Sequence, residues 1–141
     1  MKKTIYIAMA ITGSPDEYRV DFQKELKDGL RALPDVAILN FIDPKEPEAD
    51  GSNEQDIVDH DKARLEECDL MLGICDYPAT GLGMEIVFRH NLNKPLLLFA
   101  HKDKKITHMV VGFAQRENIP CIEYKSVDDI VREVEKALAE L

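Results

Sequence analysis

Hydrophobic residues in this chain come in short, nearly unbroken runs, separated by longer stretches in which they recur every three or four positions. That alternation predicts five strands interleaved with five helices. Residues 4–11 are almost continuously apolar, as a strand buried on both faces is, and Thr12-Gly13-Ser14-Pro15 breaks the run. Ser14 suits an N-cap, Pro15 the first helical position, and Asp16 and Glu17 the positive end of a helix. A helix is therefore expected over 15–33, with Phe22, Leu26, Leu30 and Leu33 turned inward. A second strand is expected over 36–42. The polar loop 43–53 that follows, with its prolines and glycine, has the length of a lid or specificity loop. The next helix, 54–67, carries Ile57, Leu65 and Cys68 on its inner face, and Asp61 falls on that same apolar face.

The third strand, 69–75, is followed by the loop Asp76-Tyr77-Pro78-Ala79-Thr80 and by Gly81-Leu82-Gly83-Met84-Glu85-Ile86. A helix over 82–93 would turn Met84, Val87, Phe88 and Leu92 inward and hold Glu85 in its first turn. Strands over 95–100 and 119–124, a helix over 106–118 and a closing helix capped by Ser126 complete the chain. Strands alternating with helices call for a parallel sheet covered on both faces, because right-handed crossovers place the helices there, and the expected order is 2-1-3-4-5. Ligands of such α/β sheets sit beyond the carboxyl ends of the strands, at the switch between strands one and three. Thr12 and Gly13 emerge there, and so does the stretch from Asp76 to Glu85.

Length and composition narrow the classes. At 141 residues the chain fits a single domain, 1–141, large enough to bury a proper core. Twenty-seven acidic against eighteen basic residues leave a net charge of −9, which repels a polyanion, so no nucleic-acid polymer is expected as partner. Cys68, Cys75 and Cys121 have neither the number nor the spacing of a disulfide framework or zinc site, and two of them read as small buried thiols. His60, His90, His101 and His108 show no metal-ligand spacing, so neither a metal nor another cofactor is called for. Apolar runs are too short to cross a bilayer and residues 5–11 lack a secretion-signal layout, so the expected location is cytoplasmic, with no membrane partner.

The unusual residue is Glu85. A carboxylate at a helix N-terminus is stabilised by the helix dipole by about 0.3–1 kcal/mol and stays ionised, as a nucleophile must. A second acid, Asp61 or Asp76, could protonate or orient a leaving group, the division of labour used when glycosidic bonds break through an oxocarbenium-like transition state. A capping role for Glu85 and a solvated margin position for Asp61 are the plainer alternatives. Tyr6, in an apolar strand, reads first as a packed core tyrosine.

Taken together, Lys3-Thr4-Ile5-Tyr6-Ile7-Ala8, Asp61 seven residues before Cys68-Asp69, and Gly81-Leu82-Gly83-Met84-Glu85-Ile86 resemble the nucleoside 2-deoxyribosyltransferase family, from the first strand to about Gly112. The Gly-x-Gly-Met-Glu segment after an apolar strand is the most specific part. The resemblance implies a flavodoxin-like three-layer sandwich. Its chemistry would be cleavage of the N-glycosidic bond of a 2'-deoxynucleoside through a covalent deoxyribosyl adduct on Glu85, with transfer to another base. It gives Tyr6 the role of holding the nucleophile and Asp61 that of contacting the sugar hydroxyls, and it places Thr12, Gly13, Gly81, Gly83 and Met84 around the substrate. It also implies a homo-oligomer in which a neighbouring subunit completes the pocket, with Thr107 or His108 near the donated position.

The chain departs from the family at two points. Six residues before the glutamate, where the family has an aspartate or a serine, stands Ala79, with Asp76 or Thr80 as substitutes from the same loop. The nucleotide hydrolases of the family carry an arginine after strand one, whereas here Asp16 and Glu17 follow Ser14 and would repel a phosphate dianion. The expected substrate is accordingly a nucleoside rather than a nucleotide. The alternatives are hydrolysis of a nucleoside or nucleoside monophosphate, and a non-catalytic nucleoside- or nucleotide-binding module. A phospho-acceptor receiver would need an acidic pair where Thr12-Gly13 stands, and a flavin carrier a richer hydroxyl loop.

Overall fold

A computed structural model describes residues 1–40 and 53–141. Five parallel strands, β1 (Lys3–Met9), β2 (Val36–Leu39), β3 (Leu70–Ile74), β4 (Leu96–His101) and β5 (Cys121–Tyr124), pair in the order 2-1-3-4-5. Between them run α1 (Gln23–Arg31), α2 (Glu54–Glu67), α3 (Thr80–Asn91), α4 (His108–Glu117) and α5 (Val127–Ala139). The loop expected over 43–53 lies outside the described residues except for Asn53, whose side chain caps α2 by accepting from the Asp56 N–H.

The period of two along a strand sorts the core into two halves. Ile5, Ile7 and Met9 of β1, with Leu70, Leu72 and Ile74 of β3, face Leu26 and Leu30 of α1 and Ile130 and Val134 of α5. Tyr6 and Ala8 of β1, with Met71 and Cys75, face Leu65 of α2, Leu82 and Ile86 of α3 and Ala114 of α4. Tyr6 is thus directed toward α3 by the parity of its strand position. Gly73 shares that face, and a Cβ there would come within 2.6 Å of Leu98 Cδ2, so the side chain of Leu98 on the neighbouring strand β4 fills the space that a residue larger than glycine would need.

The first helix departs from expectation. In place of one continuous α-helix over 15–33, a π-helical turn over Tyr18–Phe22 leads into α1. The Ser14 hydroxyl donates back to the carbonyls of Ala10 and Ile11, at 2.9 and 3.1 Å, and tightens the turn after β1.

α3 corrects three further expectations. It begins at Thr80, so Glu85 is its sixth residue and lies in the second turn. Its buried face is Leu82, Ile86 and Arg89, while Met84, Val87, Phe88 and Leu92, expected inward, are 36–49% exposed. Gly81 and Gly83 sit inside the helix, and a Cβ at either would meet nothing within 4 Å, so neither is required by a tight turn. Arg89 is fully buried and donates to the carbonyls of Leu65, Cys68, Asp69 and Pro95. A guanidinium among the last carbonyls of α2 is favoured by the helix dipole and pins α3 to the ends of α2 and to the approach to β4.

Candidate active site

At the carboxyl end of the sheet, Tyr6, Ala8, Met9 and Ile11 floor a cavity of about 410 Å³. Thr12 and Gly13 border it from the β1 loop, Ile57 and Asp61 from α2, and Pro78, Ala79, Thr80, Gly81, Leu82 and Glu85 from α3 and its approach. The size suits a small-molecule site. A Cβ at Gly13 would lie 3.2 Å from the Pro78 carbonyl oxygen, a tight contact across the cavity wall.

Three predicted residues converge in this cavity. The Tyr6 hydroxyl donates to Glu85 Oε2 at 2.7 Å, a bond between residues far apart in sequence, so the plain reading of Tyr6 as a packed core residue is incomplete. Asp61 comes from the same face of α2 as Ile57, as its spacing predicts, and the His60 ring Nδ1 is paired with its Oδ1 at 3.0 Å. His60 does not itself line the cavity but backs Asp61 from the neighbouring position of α2. Adjacent helical positions carry no periodic signal, so nothing in the pattern pointed to it.

The electrostatics of Glu85 differ from expectation. With the residue in the second turn of α3, the helix dipole acts weakly, since its effect falls off within the first turn. Burial instead pushes the Glu85 carboxyl up to about 7; the Tyr6 hydrogen bond pulls it down, and the neighbouring Asp61 pushes it up. A carboxyl raised this far by burial beside a cavity is the kind of perturbation that clusters at functional sites. Burial and the nearby Glu85 carry the Tyr6 hydroxyl far above its ordinary value, so it remains a neutral donor.

The remaining candidates divide. Thr12, Gly13, Ala79 and Gly81 line the cavity. Gly83 and Thr107 line a second one, about 390 Å³, on the other side of a ridge formed by Pro78, Ala79 and Thr80. Met84 and His108 are exposed and border neither cavity. Asp76, offered as a substitute acid, does not line this cavity. It is buried, it borders a different cavity, and its carboxylate accepts from the Tyr18 and Tyr124 hydroxyls and from the His101 N–H. Ala79 is the N-cap of α3 and makes no side-chain cap bond, and the first-turn residues Thr80, Gly81 and Leu82 line the cavity, so the uncapped start of α3 lies at its edge. Of the cysteines, Cys68 and Cys75 are buried and Cys121 is exposed. Among the described residues no group of His, Cys, Asp and Glu is arranged to hold a metal, and no helix is long and apolar enough to cross a membrane.

No family model matches the chain. Over 90 residues it is 26% identical to a protein of Thermofilum pendens called "Putative 2'-deoxynucleoside 5'-phosphate N-hydrolase 1", a match spanning 62% of this chain and 62% of that relative's length. Among solved structures, the CMP N-glycosidase of Clostridium botulinum is similar with a TM-score of 0.71 and 15% identity, covering 96% of this chain and 99% of that one. The 2-deoxyribosyltransferase of Bacillus psychrosaccharolyticus gives 0.63 and 17%, covering 91% and 90%. These structures share the fold with this chain.

Proposed function

We propose that this chain is a member of the nucleoside 2-deoxyribosyltransferase family that cleaves the N-glycosidic bond of a 2'-deoxynucleoside, with Glu85 as nucleophile, and passes the deoxyribosyl group to another base. The observation that carries the reading is the Tyr6–Glu85 hydrogen bond at the floor of a cavity also lined by Asp61. Tyr6 holds Oε2, which leaves Oε1 to attack the anomeric carbon. A Glu85–carbon bond forms while the carbon–nitrogen bond breaks, and the base leaves with the bonding pair. A nitrogen of a second base, or water, then attacks the same carbon from the opposite side and releases the Glu85 carboxylate. Two inversions give net retention. Asp61, held by His60, is placed to accept from sugar hydroxyls. Protonation of the departing base falls to the Thr80 hydroxyl or to water, since Ala79 has no donor to give.

Hydrolysis is the second reading, favoured by the names of the Thermofilum relative and the Clostridium structure. The same chemistry serves both, because only the second acceptor differs. For the substrate, we favour a nucleoside: the cavity's described lining contains two acids and no lysine, arginine or histidine. A monophosphate would rely on the N–H groups at the uncapped start of α3. The exposed Met84, Val87, Phe88 and Leu92 along one side of α3 make an apolar stripe suited to a second copy of the chain. We place the protein in the cytoplasm, with no requirement for a cofactor.

Incubation with deoxyadenosine and a second free base tests the reaction. A new deoxynucleoside means transfer, and free deoxyribose alone means hydrolysis. A covalent sugar adduct on Glu85, seen by mass spectrometry, would establish the intermediate; binding without either product would leave a non-catalytic module. Repetition with the 5'-monophosphate decides the substrate class, and sedimentation of wild type against Phe88→Asp tests the assembly.

A further inference from the structure

We propose that Asp76, which lies outside the catalytic cavity, is the positioning residue that sets the shape of that cavity, an inference resting on the reading of Glu85 as nucleophile. The β3–β4 ladder pairs Ile74 with Phe99 and runs on to a bond from the Cys75 N–H to the Phe99 carbonyl. Continued by two residues, the register sets Asp76 opposite His101. There the carboxylate replaces the main chain: Oδ1 accepts from the His101 N–H at 2.7 Å. The backbone of residue 76 is thereby released from the sheet and turns toward the ridge without leaving the His101 donor unpaired.

The other oxygen joins two more elements. Oδ2 accepts from the Tyr18 hydroxyl at 2.9 Å and from that of Tyr124. Tyr18 belongs to the π-helical turn, a type of helical irregularity frequent at functional sites, that follows the Thr12–Gly13 loop. One carboxylate that is only 4% exposed thus ties the end of β3 to β4, to β5 and to the segment after β1. Tyr77 extends the clamp, its ring 4.7 Å edge-on from Tyr18 and 4.5 Å beneath the Lys104 ammonium. The next residues, Pro78, Ala79 and Thr80, are the ridge between the two cavities, and Pro78 abuts Gly13. Both walls that would confine a sugar and base over Glu85 therefore take their position from Asp76.

The test compares Asp76→Asn, Tyr18→Phe and Tyr124→Phe with wild type, well below the lowest Tm. An amide at 76 can satisfy the His101 N–H only by turning its NH2 toward the tyrosine hydroxyls. Each phenylalanine removes one donor to the same oxygen, and Tyr18 alone of the two tyrosines also leads to the cavity wall. Since misplacing reactants by about 1 Å can cost on the order of 100-fold, Asp76→Asn should lower kcat/KM by about 10–100-fold and Tyr18→Phe by about tenfold. Tyr124→Phe should lose comparable Tm but less activity, and the acid limb of the pH profile should stay in place in all three. A merely structural carboxylate would cost Tm in every variant and activity in none, and that pattern overturns the inference. If Asp76→Asn does not fold, Tyr18→Phe against Tyr124→Phe decides alone. Full activity of Glu85→Gln would instead reject the reading of the nucleophile, a result distinguishable from failure of this inference.

Discussion

Glu85 and Asp76 are two carboxylates at the same end of one sheet, each touching tyrosine hydroxyls, and they are wired oppositely. Asp76 accepts from three donors on three different elements and is buried away from the cavity that holds Glu85. Glu85 accepts from Tyr6, is raised to about 7 by burial, and faces an open cavity of about 410 Å³. A carboxylate whose acceptor positions are filled by the protein holds structure together. One that is desolvated, partly satisfied and facing a cavity is available for chemistry.

The sharpest way to break this contrast is Glu85→Gln. Loss of a nucleophile that works as part of a unit should reduce turnover by roughly 10³–10⁵-fold. The same change should stabilise the protein at pH 8. The folded-state pKa of Glu85 lies near 7, above its ordinary 4.5, so the folded form holds the proton more tightly than the unfolded chain. Stability contributed by that proton is present at low pH and is lost as pH rises from about 4.5 through 7, by a few kcal/mol at most. Glutamine keeps an acceptor for Tyr6 without the buried charge, so a thermal melt at pH 8 should show a higher Tm, and the gain should vanish near pH 5.

Tyr6→Phe is expected next in size. Hydrogen bonds to charged groups contribute about 1.5–3 kcal/mol, so kcat should fall by about 10–100-fold. Because Tyr6 pulls the Glu85 pKa down, its removal should move the acid limb of the rate profile to higher pH. In wild type that limb should have its midpoint near pH 7, with rate lost toward acid as Glu85 protonates; a midpoint near 4.5 would mean that Glu85 is not desolvated during catalysis. The smallest effect belongs to Ala79→Ser, which supplies the missing cap of α3 and should raise stability by about 1 kcal/mol in denaturant melts. Any accompanying gain in turnover would locate leaving-group protonation at that position.

Much of this was legible in one dimension. The unbroken runs marked the strands and helical spacing marked the helices; the alternation called for a parallel sheet, and the expected order 2-1-3-4-5 is the one observed. The spacing of Ile57, Asp61 and Leu65 also set Asp61 on a face that reaches the cavity. What misled was α3, where apolar residues lie on two flanks and periodicity cannot choose between them. The sheet chose Leu82, Ile86 and Arg89, because the first two pack against Tyr6, Ala8, Met71 and Leu98 on that face and the last carbonyls around α2 satisfy the third. The stripe of Met84, Val87, Phe88 and Leu92 was left outward.

The sequence by itself determined the alternation of strands and helices, hence the layers, and Glu85 as the residue to explain, since these follow from local patterns of polarity and from a carboxylate after two glycines. Only the tertiary structure decided that Asp76 turns to the tyrosines on the other side, that His60 backs Asp61, and that burial rather than a helix end governs the charge of Glu85. Those outcomes depend on which groups from distant segments share a low-dielectric space. A linear pattern can state which face a residue occupies, but not what meets it there.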